Sequence, residues 1–420
     1  MSEKGSSSQS AAFDVLRRYD DALRRWAQGC PLDRLQADSA SDRRLANTLF
    51  TTFRHLGVLD WIIDRHATGR VRPRLRRVLR WTVCHHLYLS SLPTPVAVDT
   101  AVRYTRKRRH AREAGFLNAV LRNITAVSAD RHRADIENNA PAHLHLELGR
   151  DLYQAWKSRF SEQDLEQLSH LFQQPPPLIA RLRPGHRSLP PGTRTLTAPA
   201  WAPEASLCEI TDPDRFFASG LVSSGACYVQ DPSTLMAPSL LAPGPGERVA
   251  DFCAAPGGKT LYLRDIGGGT VRLLAADRST RRLDRLRENL VRDVACALVA
   301  ADAVRPPFGT QSFDGVMLDV PCSNTGVIRR RPDVKWRFSR ESLKRLTALQ
   351  SRILEATAGT VRTGGRLVYS TCSLEPAENE DQIGAFLSRH AGFRLHEQHT
   401  LLPNELHDGA YAALLVKQSA

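Results

Sequence analysis

The chain of 420 residues carries 58 Lys and Arg against 44 Asp and Glu, a formal net charge of +14, and 42% hydrophobic residues. That length exceeds one usual core and calls for two or three domains, while the positive balance favours a polyanion such as nucleic acid, because clustered cations release counterions from phosphates. The eight cysteines lie scattered without a CxxC pair or Cys/His ligand spacing, which excludes a zinc module, and no apolar run approaches the roughly 20 residues that span a bilayer.

In chain order, Met1–Ser10 is Ser-rich and polar, and is expected to be a disordered tail (residues 1–10). Structure is expected from about Ala11, and from Phe13 to about Leu146 the apolar residues recur at helical spacing, as in LANTLFTTFRHLGVLDWIID and AGFLNAVLRNI, which predicts an all-helical domain over 11–146. Two basic runs stand within it, RVRPRLRRVLR at Arg70–Arg80 and RYTRKRRHAR at Arg103–Arg112. A charge run is usually a solvated helix face. Together, though, these two make Arg74, Arg76, Arg77, Arg80, Arg106, Lys107, Arg108 and Arg109 candidate RNA contacts.

Residues 147–235 begin with another helical stretch and then carry Pro175, Pro176, Pro177, Pro184, Pro190, Pro191 and Pro199. Proline at that density prevents regular helix and fits a linker or an irregular small module. Over 236–420 short apolar runs alternate with helical stretches. The candidate strands are Arg248–Phe252, Val271–Ala276, Ala297–Ala301, Gly315–Leu318, Arg366–Tyr369 and Ala410–Val416. Strands separated by helices predict a mostly parallel, doubly wound α/β sheet, whose ligands sit at the carboxyl ends of the strands.

The first of these strands runs into DFCAAPGGKT, Asp251–Thr260. Small residues there let a ligand approach the backbone, and a helix N-terminus presents unpaired N–H groups. A nucleotide-phosphate loop needs glycine at position 253, where this chain has Cys253, and the G-x-G-x-x-G pattern of nicotinamide sites is absent. Asp277 ends the second strand about twenty residues beyond Gly257, where an acid accepts ribose hydroxyls, and Asp302 ends the third. A lone Asp is more often a helix cap. The ordered series of loop, Asp277 and Asp302 points instead to an adenosine-containing ligand.

The fourth strand runs into Asp319-Val320-Pro321-Cys322, and the fifth into Ser370-Thr371-Cys372. Two cysteines thus arrive on the cofactor rim. A cytidine deaminase also carries Pro-Cys, but its zinc signature needs another cysteine at 325, where Thr325 stands. A thiolate adding to carbon 6 of cytosine turns the ring into an enamine whose carbon 5 attacks a methyl sulfonium, which gives these residue types a reason. Asp319 is then the candidate to stabilise the adduct at ring nitrogen 3. Spacing alone does not rank the two cysteines.

At YVQDPS (Tyr228–Ser233), CAAPGGK (Cys253–Lys259), DVPCSNTG (Asp319–Gly326), RRRPDVKW (Arg329–Trp336) and YSTCSLEPAENE (Tyr369–Glu380), the chain resembles the RsmB (Sun/Fmu) family of 16S rRNA cytosine-5 methyltransferases, in the NOL1/NOP2/Sun group. LRRVLRWTVCHHLYLSSLPTPVAVDTAV at Leu75–Val102 and FLNAVLRNI at Phe116–Ile124 resemble NusB, an RNA-binding protein. The resemblance implies a NusB-like bundle followed by a Rossmann-like class I methyltransferase domain that uses S-adenosylmethionine. It implies that Cys253, Ala254, Ala255, Pro256, Gly257, Gly258, Lys259, Asp277, Asp302 and Asp319 bind that cofactor. It makes Cys372 the nucleophile and Cys322 the residue that releases product, and leaves Lys259 to orient either Asp319 or the cofactor's carboxylate.

Two departures, Val320 and Asn324, stand where the group usually has Ala and Gly, and LIARLRPGHRS at Leu178–Ser188 lacks the Asn-containing strand usual after the proline-rich segment. The implied partner is small-subunit ribosomal RNA, for an enzyme expected to be cytoplasmic, monomeric and free of metal and membrane. The alternatives are a noncatalytic RNA-binding or ribosome-assembly factor and a methyltransferase for another RNA.

Overall fold

A computed structural model describes residues 3–32, 34–35, 42–108, 111–186, 188–290 and 296–418. The chain divides into two units, residues 1–174 with 331–338, and residues 175–330 with 339–420.

The first unit is helical. Helices Glu3–Ala27, Arg43–Arg54, Leu56–His66, Pro73–Leu87, Thr94–Lys107 and Ala111–Thr125 bury one core in which Leu16, Tyr19, Phe53, Leu59, Trp81 and Leu117 are at most 1% exposed. Local signals set the helix ends: Asp42 accepts from Arg44 N and Leu45 N, and Pro73 and Pro95 sit in first turns, where a missing N–H loses nothing. Within the tail expected over 1–10, the described residues are helical from Glu3. Extending an anchored helix adds one hydrogen bond per residue without repeating the unfavourable nucleation step, so polar sequence continues it. The boundary expected at 146 falls at 174, where helix Glu162–Gln173, opened by a Ser161/Asp164 capping box, stops before Pro175–Pro177.

Residues 331–338 also belong to this unit. Trp336 Nε1 donates to Phe53 O at 2.6 Å and Lys335 Nζ to Arg54 O at 2.7 Å. A Cβ on Gly149 would lie 2.1 Å from Lys335 O, so only glycine admits this segment. A contiguous reading of the sequence had no signal for that exchange.

The second unit contains both sheets. Strands β1 (Ile179–Leu182), β2 (Thr193–Leu196), β3 (Ser206–Ile210) and β4 (Cys227–Val229) form an antiparallel sheet in the order β2-β3-β1-β4. Of the two expectations for this stretch, a linker or an irregular small module, the structure has a small module with regular strands, in which β1 is a central strand buried at every residue. The prolines fall outside the strands, so they shape turns without removing ladder bonds.

Strands β5 (Arg248–Phe252), β6 (Arg272–Asp277), β7 (Cys296–Ala300), β8 (Phe313–Asp319), β9 (Val361–Thr371), β10 (Phe393–Leu401) and β11 (Ala410–Lys417) form the large sheet, in the order β10-β11-β9-β8-β5-β6-β7 with β11 antiparallel to its neighbours. Strand β8 pairs in parallel with β5 and β9 and is buried on both faces, its Leu318 sharing a core with Phe252 and Tyr369 on one side and its Met317 with Val249 and Val368 on the other. Strand β10 was not expected. As an edge strand it buries only Phe393, so FRLHEQHTL reads as polar. The strand order reverses between β5 and β8, which places a crevice at their carboxyl ends.

Candidate active site

The loop after β5 is held open for a ligand. Cys253 (φ 63°) and Gly257 (φ 108°) both adopt left-handed backbone, and a Cβ on Gly258 would sit 2.8 Å from the Tyr228 ring. Arg282 Nη2 donates to Ala255 O at 2.5 Å and Asn289 Nδ2 to Pro256 O at 2.8 Å, tying the loop to helix Thr280–Asn289. Burial, followed by Asp277, pushes the Cys253 thiol up to about 12, so it packs as a neutral group. Beneath the loop, Asp251 is fully buried and bonded by Thr260 Oγ1 at 2.5 Å, and burial raises it to about 7.

Asp277 is 3% exposed; its Oδ1 accepts Ser279 N at 2.9 Å, while Oδ2 accepts no hydrogen bond although Arg282 Nη1 lies 3.3 Å away. A buried carboxylate oxygen left open suits a ribose hydroxyl. Asp302 is exposed two residues past β7, with Val304 N on its Oδ1 at 3.0 Å. The loop without side-chain bulk, the open Asp277 oxygen and the exposed Asp302 fit an adenosine-containing cofactor.

Across the crevice, Asp319 ends β8. Its Oδ2 accepts Lys259 Nζ at 2.7 Å and its Oδ1 accepts Ser370 Oγ at 3.2 Å. Burial works to neutralise Lys259, but Asp319 outweighs it and holds the lysine above its ordinary value as a cation. Lys259 therefore meets Asp319. The sulfurs of Cys322 and Cys372 lie 3.2 Å apart. Cys322 is pushed well above the thiol range, first by its hydrogen bond with Cys372 and then by burial. Asn324, in left-handed backbone at φ 63°, bridges the two: its Nδ2 donates to Cys322 O at 2.7 Å and its Oδ1 accepts from Cys372 Sγ at 3.3 Å.

The supporting residues escaped the sequence reading. Glu378, fully buried, accepts Ser323 N at 2.9 Å, Ser323 Oγ at 2.5 Å and Gln350 Nε2 at 2.8 Å, while Gln350 Nε2 also reaches Pro321 O at 2.9 Å. Asn379 donates to Ser373 O at 2.9 Å and accepts Thr371 Oγ1 at 2.6 Å. Gly326 N donates to Cys372 O at 2.9 Å, an approach that a Cβ, 2.6 Å from Gly409 O, would block. The signal was the acidic run after Cys372, but nothing local shows that Glu378 folds back beneath Cys322. Similarly, Asp231 of the YVQDPS run joins Arg330 at 2.8 Å, and Arg330 Nε holds Asp408 at 2.6 Å.

The expected RNA contacts are only partly free. Arg77 pairs with Asp20 at 2.6 Å and Arg80 with Asp60 at 2.6 Å, both arginine side chains 15% exposed, and Arg76 pairs with Asp64 at 2.5 Å. Arg74 joins Glu113 at 2.5 Å. The first run thus stitches helices together: its cations recur at a spacing that turns them toward acids distant in sequence. Lys107 lies over the Phe13 ring, Arg108 over Tyr104 and 3.6 Å from Asp20, and Arg106 is exposed. Arg109 lies outside the described residues. Among the described residues no cluster of His, Cys, Asp and Glu is arranged for a metal, and no helix is long and apolar enough to cross a membrane.

Residues 238–416 match the family described as 16S rRNA methyltransferase RsmB/F, and residues 6–126 match the NusB family. The ribosomal RNA small subunit methyltransferase B of Serratia proteamaculans is 33% identical over 403 residues, covering 90% of this chain and 91% of that protein. That of Klebsiella pneumoniae is 32% identical over 409 residues, covering 91% and 92%. A solved methyltransferase homologue from Pyrococcus horikoshii is 26% identical with a TM-score of 0.54, covering 66% of this chain and 97% of that one.

Proposed function

The chain belongs to the RsmB/F family of 16S rRNA methyltransferases with an N-terminal NusB domain, and from that premise we propose that it methylates carbon 5 of a cytosine in small-subunit ribosomal RNA through a covalent adduct to Cys372. S-adenosylmethionine, when bound, supplies the methyl group as an electrophilic sulfonium. The Cys253–Gly258 loop, Asp277 and Asp302 would hold its amino-acid and adenosine parts.

The observation that carries the reading is the Cys322–Cys372 sulfur pair, 3.2 Å apart, on the same rim as the Lys259–Asp319 pair. The thiolate of Cys372 adds to carbon 6, and the electron pair released to carbon 5 forms the bond to the methyl group. As negative charge develops at ring nitrogen 3, that nitrogen takes a proton from Lys259 relayed through Asp319, the two lying 2.7 Å apart while Ser370 holds the other carboxylate oxygen. Loss of the carbon 5 proton to a base then returns electrons to carbon 6 and expels sulfur. As the bond between carbon 6 and sulfur breaks, Cys322, whose thiol is raised by its hydrogen bond with Cys372 and by burial, hands its proton to the departing Cys372 sulfur 3.2 Å away.

The test is incubation with S-adenosylmethionine and RNA containing 5-fluorocytosine, from which fluorine cannot leave as a proton does. Wild type should form a denaturation-resistant protein–RNA adduct that Cys372→Ala abolishes. An adduct that survives Cys372→Ala overturns the assignment.

A further inference from the structure

If the arginines of the Arg70–Arg80 run are held by acids of their own domain, phosphate has to be met by cations elsewhere. Within the second unit the helix Thr280–Asn289 follows directly on Asp277, so its first turn stands at the carboxyl edge of the sheet beside the cofactor loop. Leu283 and Leu286 fill the core face. One i,i+4 row lies beside that face, running Arg281–Arg285–Asn289 and ending on Pro256 O; Arg282 reaches Ala255 O, and Arg278 precedes the helix in the bend after β6. The helix is therefore anchored to the cofactor loop by Arg282 and Asn289, and Arg281 and Arg285 are carried along the same border.

Arg278, Arg281 and Arg285 are exposed, and their side chains pair with no acid among the described residues. The same is true of Arg305, three residues beyond Asp302 at the end of the neighbouring strand. Each acid that would receive adenosine thus has an unneutralised guanidinium close behind it in sequence. Of the acids on this helix, Asp284 is taken by Arg287 at 2.8 Å, which leaves Glu288 as the one described opposing charge. A solvated helix face would satisfy its charges with i,i+4 partners, as the Arg103–Asp99 pair at 3.5 Å does in the first unit. Arg281 and Arg285 instead follow one another at that spacing, a mutual repulsion that an anion between them would relieve.

We propose that Arg278, Arg281, Arg285 and Arg305 form a phosphate-binding strip that holds the backbone of the substrate RNA along the adenosine side of the cofactor rim. The strip rests on the RNA-methyltransferase reading but not on which cysteine attacks. It positions the strand by charge and reads no base, because guanidinium–phosphate contacts carry no sequence information.

The test uses the full-length protein and transcribed small-subunit ribosomal RNA, with binding measured over a range of potassium chloride. Arg281→Gln/Arg285→Gln should weaken binding about tenfold and flatten the log–log salt dependence by roughly 1.5, because two phosphates would no longer be neutralised. Its single-turnover methylation rate at saturating RNA should match wild type, and its affinity for S-adenosylhomocysteine should be unchanged, which also reports an intact fold. Arg272→Gln, at the opposite end of β6, equally exposed and with no acid partner among the described residues, serves as the control and should leave the slope alone. A double variant with wild-type affinity and slope overturns the strip, and so does a weakening that Arg272→Gln reproduces. Neither result bears on the fluorocytosine adduct, so the strip and the cysteine assignment fail separately.

Discussion

Cys322 Sγ and Cys372 Sγ stand 3.2 Å apart although 50 residues separate them, because β8 and β9 are parallel neighbours whose carboxyl ends share one rim. Two thiols at that distance cannot both ionise readily, since the second thiolate would face the first. The pair therefore favours ionisation of one thiol at a time.

On the proposed roles, removing Cys322 should trap the enzyme. Cys322→Ala is expected to accumulate covalent adduct on ordinary RNA, seen as a slow-migrating band on denaturing gels. If Cys322→Ala instead fails to form adduct even on 5-fluorocytosine RNA, the two roles are exchanged.

The Lys259–Asp319 pair predicts a second effect. Lys259→Met leaves Asp319 with Ser370 alone and without its countercharge. Single-turnover methylation should fall about 10²-fold, the usual scale for one positioned group. A rate within threefold of wild type would remove Lys259 from the site's chemistry.

Glu378 should matter to stability as well as rate. Its carboxylate collects Ser323 N, Ser323 Oγ and Gln350 Nε2, all donors. Glu378→Gln turns one acceptor into a donor facing donors, which should lower unfolding free energy by about 1–3 kcal/mol in urea titrations. An unchanged urea midpoint would mean that the loops find other partners.

Asp251 gives a pH-dependent prediction. Burial lifts it from 3.8 to about 7, so folding favours its protonated form. The stability this lends is complete below pH 4 and is lost as pH rises through about 7. Between pH 5 and 8 the wild-type urea midpoint should therefore decline more steeply than that of Asp251→Asn. The variant should keep some decline, because burial and Asp231 also lift Asp408 to about 7. Parallel profiles for the two proteins would show that Asp251 is ionised throughout.

The substrate claim has its own check. Bisulfite sequencing of small-subunit ribosomal RNA should lose one methylcytosine when the gene is deleted and regain it with the wild-type gene but not with Cys372→Ala. No lost site would sink the assignment to this RNA.

The placement of the candidate site residues was legible before any folding was considered. Cys253–Lys259, Asp277, Asp302, Asp319, Cys322 and Cys372 each lie at or just beyond a strand end, and the parallel sheet needs only alternating strands and helices to gather such ends on one edge. Hydrophobic periodicity likewise sufficed for the helical domain and for the large sheet except β10, whose one buried residue leaves no periodic trace.

The tertiary structure decided what depends on partners distant in sequence. Whether an arginine is free is one such matter: Arg77 and Arg80 belong to a basic run, yet Asp20 and Asp60 on other helices neutralise them, whereas Arg281 and Arg285 meet no acid among the described residues. Another is support for the site, since Glu378 and Gln350 act by folding back under a loop far from them along the chain. A sequence sets out charges and thiols in order, but their energies depend on distance and burial, which exist only once the chain has closed.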